Sequence, residues 1–354
     1  MPNARRMLCV SPRYARSFGT FDHASRLIGT RAFMPPQGIL VIAAWFSARG
    51  WDVRVVDENV RPLTERDPDR ADVVLVSGMH VQHAHIQAVV SVARRRGLLT
   101  VLGGPSVSAC SHWYPEPDIL HLGELGDATE ALADRLARDL GRPARQEVYR
   151  TVNRLPLEDF PVPAFHLIDV SEYLSGTVQF SSGCPFRCDF CDIPELYGRN
   201  PRLKTPRRIT EELDALVAGG VRNVVYFVDD NFIGNPHAAR SLLEELVRWQ
   251  RRHDYPVDFS CEATLNITKR PELLSLMREA RFTKVFVGVE TPEENALRAI
   301  GKTQNLRSPL LDAIAEINAH GIEVVSGIIL GLDTDEPGTY ERSSASSTPA
   351  ASLC

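Results

Sequence analysis

Short β-branched runs alternate with segments of helical pattern twice along this chain, and the alternation breaks once, between residues 142 and 176. Such alternation argues a parallel sheet flanked by helices, because a parallel strand needs a crossover before the next one can pair. In the first run Met7–Ser11, Asp52–Asp57, Asp72–Ser77, Leu99–Leu102 and Ile119–Leu122 read as strands. Helices are expected over Pro35–Arg49, Gln82–Arg96 and Asp127–Leu140, each stopped by a glycine: Gly50, Gly97 and Gly141. The pattern predicts an α/β fold, with a doubly wound parallel sheet over residues 1–145. Pro156, Pro161 and Pro163 then punctuate a stretch without period, and residues 146–176 read as a linker.

The second run starts at Thr177. Its strands are Thr177–Ser181, Asn223–Val228, Val257–Cys261, Lys284–Val289 and Glu323–Ile329. Helices start near Pro206, Pro236, Pro271, Pro292 and Ser308, with Thr205 as N-cap ahead of Pro206. Five strands with five helices read as an incomplete (β/α) barrel over 177–340. Residues 341–354, ERSSASSTPAASLC, are of low complexity and expected to be disordered. They read as though a longer frame were lost just before the next helix.

A chain of 354 residues can bury two sizeable cores, and 44% hydrophobic with 24% charged residues is ordinary for a soluble globular protein. The net charge of −5 gives no basic field for nucleic acid. No segment reaches the roughly 18 apolar residues of a membrane span. The longest apolar run, Ile39 to Phe46, fits a buried helix. Arg5-Arg6 is followed by no long apolar region or small-residue cleavage site. The expected location is cytoplasmic, and peripheral membrane contact stays open.

Of seven cysteines, Cys184, Cys188 and Cys191 lie within eight residues in C-x3-C-x2-C spacing, directly after a predicted strand. That clustering argues metal in a reducing compartment rather than a disulfide framework. The loop falls at the carboxyl end of the first barrel strand, where barrels place their chemistry. Thiolates are soft donors suited to iron–sulfur centres, and three of them can hold three irons of a [4Fe–4S] cubane. The fourth iron can then chelate the amino and carboxylate groups of S-adenosylmethionine (SAM). An electron passed into the sulfonium breaks a C–S bond and gives a 5′-deoxyadenosyl radical. Two readings compete: a structural zinc site, which usually takes four ligands, or three unrelated buried cysteines. His237 and His253, the nearest downstream histidines, lack ligand spacing. Cys9, Cys110 and Cys261 are expected to be buried small residues, and Cys354 is given no role.

With Phe190 ahead of the last cysteine, the motif resembles the C-x3-C-x-aromatic-C form of the radical SAM superfamily. The resemblance implies that Asp229, Asp230 and Asn231, at the second strand end, recognise the SAM amino group. It implies that Glu262 and Glu290, at the third and fourth strand ends, contact its ribose and methionyl groups. A carboxylate at a strand end can instead cap the next helix. The N-terminal unit resembles the cobalamin-binding domain found ahead of one radical SAM class. The strand ends that match are Asp57-Glu58-Asn59, Ser77-Gly78-Met79, Gly103-Gly104-Pro105-Ser106 and Gly123-Glu124. Ligands of doubly wound sheets bind outside such carboxyl ends, and Gly103 and Gly104 would let backbone approach a flat ligand. D-x-H-x-x-G, which supplies a histidine to cobalt in several B12 proteins, is absent; His80, His83 and His85 follow the third strand and do not replace it. The resemblance therefore implies cobalt without that histidine. The competing reading is a degenerate sheet that only packs on the barrel.

A narrower resemblance is to the hopanoid C-2 methylase family. It rests on Ser17–Phe21, Phe33–Gly38, Val56–Val60, Gly104–Ala109, Tyr197–Pro201 and Gly327–Asp335, and runs to about residue 340. That family is longer at its C-terminus, which implies that the barrel here is a (β/α)6 partial barrel lacking its last strand. The resemblance implies cobalamin-dependent methyl transfer to an unactivated carbon of a small molecule or lipid, a hopanoid among them. It also implies an electron donor such as a flavodoxin or ferredoxin. The alternatives are a B12-binding radical SAM oxidoreductase or ring-forming enzyme, and an inactive truncated remnant.

Overall fold

Valine, isoleucine and leucine crowd the strands of the first half so densely that both faces of its sheet must be covered. The computed structural model describes residues 5–17, 27–307, 309–339 and 341–342. Ser308, residues 18–21 of the Ser17–Phe21 stretch and residues 343–354 lie outside them. The chain divides into two compact units, Met1–Gly176 with Ala218–Gly220, and Thr177–Val217 with Val221–Cys354.

The first unit is built on β1 (Arg6–Ser11), β2 (Asp52–Asp57), β3 (Val73–Ser77), β4 (Leu99–Gly103), β5 (Ile119–Leu122) and β6 (Glu147–Arg150). They form one parallel sheet in the order β2-β1-β3-β4-β5-β6. The order reverses between β1 and β3, the switch point of a doubly wound sheet. Helices Gln37–Ser47, His83–Arg95 and Asp127–Arg138 cover it with their apolar faces. Leu8, Val10, Val74, Val76, Ile86, Val90 and Leu102 lie in one buried cluster.

One expectation is corrected here. Residues 147–150, read as part of a linker, pair with β5 from Ile119↔Glu147 to Leu122↔Arg150. This edge strand alternates half-buried and exposed residues over four positions only, so it carries little apolar signal.

The second unit continues with β7 (Ser175–Val178), β8 (Ser181–Ser182), β9 (Arg202–Leu203), β10 (Val224–Phe227), β11 (Asp258–Glu262), β12 (Phe282–Glu290) and β13 (Glu323–Ile328). Its five-stranded sheet runs β13-β12-β11-β10-β7, and β10–β11, β11–β12 and β12–β13 pair in parallel. This is the expected five-stranded partial barrel. Helices Pro206–Ala218, Pro236–Arg252, Pro271–Glu279, Glu294–Ala299 and Leu310–Ala319 connect the strands. The first strand was expected to run Thr177–Ser181; it stops at Val178 instead. The Asp229 carboxylate accepts from the Phe180 amide (3.3 Å) and from that of Ser181, drawing both out of the main ladder. Ser181 and Ser182 pair antiparallel with Leu203 and Arg202.

Phe227, Phe232, Phe259 and Phe282 form the aromatic centre of this core, with ring centroids 5.2–5.6 Å apart. The same unit also buries an ion pair between Lys204 and Glu212, both with no exposed side-chain surface. Glu341 and Arg342, expected to begin a disordered tail, are helical; Arg342 pairs with Glu293 and donates to Thr339 Oγ1 at 3.1 Å. No helix of the described residues is long and apolar enough to cross a membrane.

Candidate functional site

The cysteine loop leaves β8 through Gly183 and returns through Gly198 to β9, so the short hairpin fixes both of its ends. Gly183 has φ +101°, and a Cβ there would stand 2.7 Å from the Gly198 carbonyl oxygen. Only glycine tolerates that backbone at that distance. The Cys184 amide donates to Gly198 O at 3.1 Å, and the Cys191 amide to Cys188 O at 3.0 Å. All three thiols are partly exposed. Burial pushes the Cys184 and Cys191 thiols up, while the Phe186 and Ile193 amides oppose this by favouring the thiolates. Among the described residues no three His, Cys, Asp or Glu side chains converge to hold one metal ion. Three thiols on one loop are one donor short of a four-ligand zinc site and match the three irons of a cubane that a protein can hold this way.

Asp229, Asp230 and Asn231 follow β10, and Glu262 ends β11. Asp230 accepts from the Gly183 amide at 2.7 Å, which ties this strand end to the cysteine loop. The Asn231 side chain is buried, its Nδ2 reaches Thr264 Oγ1 at 3.5 Å, and its Oδ1 has no partner. Glu262 takes a hydrogen bond from the Tyr226 hydroxyl at 3.2 Å. An orphaned acceptor and a carboxyl on strand ends next to the one tied to the cysteine loop fit a ligand that brings an ammonium and hydroxyls, as SAM does.

The other two carboxylates are engaged within the protein. Asp229 is buried on the Phe180 and Ser181 amides. Glu290 forms a buried ion pair with Lys302, on a backbone at φ +64° where the β12–β13 register shifts. Reading the strand ends as equivalent could not separate these from Glu262.

Burial pushes the Asp229 carboxyl up to about 7, against the Ser181 and Phe180 hydrogen bonds. It lifts Glu262 to about 7 as well, against the Tyr226 hydroxyl. The folded chain thus keeps protons that the unfolded chain releases near pH 4, at about the ordinary carboxyl value. Their contribution to stability is full below that pH and is lost as pH rises through about 7. Without a reconstituted cluster, the unfolding free energy should fall by roughly 1 kcal/mol between pH 6 and 8 from Asp229 alone. Urea midpoints measure it, and Asp229→Asn should lessen the trend and leave the share that Glu262 carries; midpoints that rise with pH would contradict it.

Sequence reasoning missed the segment after helix Glu294–Ala299. Asp189 N donates to Ile300 O at 3.0 Å, and Lys302 lies 5.6 Å from the Phe190 ring centroid. Asn305 donates to Gly288 O (3.0 Å) and Val289 O (3.3 Å), leaving its own Oδ1 without a partner. Asn305, Val289, Thr291 and Leu265 line a cavity of about 280 Å³ at the end of β12. The run Gly301-Lys302-Thr303-Gln304-Asn305 is polar and aperiodic, so nothing in it announces burial.

In the first unit the named strand ends divide likewise. Asp57 is buried and accepts from Asn59 N (3.0 Å), Asn59 Nδ2 (2.6 Å) and the Tyr173 hydroxyl (3.1 Å). Burial still raises its carboxyl above the ordinary value. Glu58 accepts from the amides of Arg13 (3.3 Å) and Leu63 (3.4 Å), and Glu124 pairs with Arg154 at 3.4 Å. These acids brace their own loops. Ser77, Gly78, Gly103 and Gly104 make the rim instead. Gly104 has φ +97°, and a Cβ there would stand 2.6 Å from Ser77 Oγ. Gly123, at φ +100°, donates to Ser108 Oγ at 2.9 Å. Beyond β3, Met79, Val81 and Trp113 are exposed, and Ser106 Oγ bridges His80 Nδ1 (3.0 Å) and the Tyr114 hydroxyl (2.5 Å). A rim of three glycines and a small serine beside exposed apolar groups fits a flat macrocycle.

Comparison with known proteins adds to this geometry. A family model for the radical SAM superfamily matches residues 178–342, and one for the B12 binding domain matches residues 27–133. The chain is 56% identical over 339 residues to the hopanoid C-2 methylase of Rhodopseudomonas palustris, covering 96% of this chain and 64% of that protein. It is 37% identical to an uncharacterized methyltransferase of Synechocystis, over 95% of this chain and 62% of that one. It therefore spans a little under two thirds of the length of these curated relatives. Among solved structures it superposes on the radical SAM methyltransferase TsrM of Kitasatospora setae with a TM-score of 0.72 at 16% identity, covering 97% of this chain and 70% of that one. At that identity the likeness speaks for the fold alone.

Proposed function

We propose that this chain, whose residues 178–342 match a radical SAM superfamily model and whose residues 27–133 match a B12 binding domain model, is a cobalamin-dependent methyltransferase acting on an unactivated carbon, with a hopanoid lipid as substrate. The observation that carries this is the loop of three thiols joined through Gly183 and Asp230 to strand ends bearing Asn231 and Glu262. The 56% identity to a hopanoid C-2 methylase supports the substrate class. When bound, the [4Fe–4S] cluster with SAM supplies a hydrogen-abstracting radical, and cobalamin supplies the methyl group. A radical route suits an sp3 carbon, which offers no lone pair to an electrophilic methyl.

The residues of this chain do the positioning. Cys184, Cys188 and Cys191 hold iron. Asp230, Asn231 and Glu262 receive the polar groups of SAM, while Asp229 and Glu290 hold the strand ends in place. Ser77, Gly78, Gly103 and Gly104 form the cobalamin rim, with Gly123 beside them; Asp57, Glu58 and Glu124 brace it. A flavodoxin or ferredoxin in a reducing cytoplasm would deliver the electrons, and the protein would meet its lipid at a membrane surface.

The test is an anaerobic assay of reconstituted protein with SAM, cobalamin, a reductant and a hopanoid. The expected products are 5′-deoxyadenosine and a hopanoid heavier by one methylene. Deoxyadenosine with no methylated product would overturn the methylase reading and leave a radical SAM enzyme of another reaction.

A further inference from the structure

Gln304, in the short helix Thr303–Arg307, reaches across to the cysteine loop, and its side-chain Nε2 lies 3.5 Å from Cys188 Sγ. We propose that Gln304 is a positioning residue that sets the reduction potential of the iron–sulfur cluster, by donating an N–H hydrogen bond to the sulfur of Cys188. The inference rests on the cluster assignment above and goes beyond it.

Three observations support it. Gln304 is only 3% exposed, so water competes weakly for the donor. Its segment is held from both sides: Lys302 pairs with Glu290, and Asn305 bonds the Gly288 and Val289 carbonyls. The same segment grips the loop. The Asp189 amide donates to Ile300 O, and a Cβ on Gly301 would stand 2.5 Å from Arg187 O. The amide is thus aimed at the sulfur by its surroundings rather than by chance rotation.

The chemistry gives the sign. In reduction one electron passes from the reductant to the cluster, whose net charge becomes more negative by one. A donor hydrogen bond to a ligating sulfur stabilises the more negative state and raises the potential. Removing it makes the cluster harder to reduce. A carboxylate in its place removes the donor and adds a charge.

The experiment compares reconstituted wild type, Gln304→Met and Gln304→Glu, all in the full chain and matched for iron content. The reduced cluster is titrated at pH 8 under dithionite with redox mediators and read by electron paramagnetic resonance. Gln304→Met should shift the reduction equilibrium roughly tenfold toward the oxidised form, which is about 59 mV for a one-electron couple. Gln304→Glu should shift it further the same way. If one variant loads no iron, the other against wild type decides. Equal potentials at matched iron would overturn the inference while leaving the cluster assignment intact. A wild type that takes up no cluster would overturn both.

Discussion

Cys188→Ala protein, reconstituted anaerobically beside the wild type, is expected to lose the intact cluster and at least a hundredfold of its 5′-deoxyadenosine formation, an order of magnitude set by the need for all three thiolates. Its fold should survive. The loop ends are held by the Cys184–Gly198 and Asp189–Ile300 backbone bonds and by Asp230 on the Gly183 amide, none of which uses the Cys188 sulfur. Iron analysis and visible absorption measure the first effect, and circular dichroism the second. Cys261→Ala is the control, because Cys261 is fully buried in β11 outside the cysteine loop. Equal iron in wild type and Cys188→Ala would remove the basis of the radical SAM reading.

The second large effect concerns stability. Lys204→Met strands Glu212 in a site with no exposed side-chain surface. Breaking a buried pair from one side costs about 3–5 kcal/mol, a large part of the roughly 5–15 kcal/mol that holds a domain folded. Burial already pushes the Glu212 carboxyl up against the pull of Lys204, so without the lysine it should bind a proton, and the penalty should shrink in acid. The double variant Lys204→Met/Glu212→Leu should recover most of the loss, because the uncompensated charge is gone. Urea denaturation followed by circular dichroism measures the loss and its recovery. A single variant within about 1 kcal/mol of wild type would show that the pair contributes little.

Much of this architecture is legible in the sequence because apolar runs and glycine stops are local signals. The strands Asp52–Asp57 and Ile119–Leu122 fall where the pattern puts them. The cysteine spacing is equally local. What escapes the sequence is pairing between distant residues. Glu147–Arg150 joins a sheet by its backbone, and its side chains say little about it. Glu290 looks like Glu262 until Lys302, twelve positions later, is seen to neutralise it. Asp57 looks like a ligand-facing carboxylate until Tyr173, 116 positions on, is found donating to it. Gln304 carries no motif, and its meaning comes from a sulfur 116 positions upstream.

The bracing of the cysteine loop bears on how the protein matures. Small metal-dependent domains often fold only as the ion arrives, so their metal uptake and folding are a single event. Here the hairpin Ser181–Ser182 with Arg202–Leu203, the Gly198 and Ile300 carbonyls and the Asp230 carboxylate shape the loop with protein bonds alone. Folding and iron loading should then be separable steps, and the iron-free and iron-loaded chains should give the same circular dichroism spectrum.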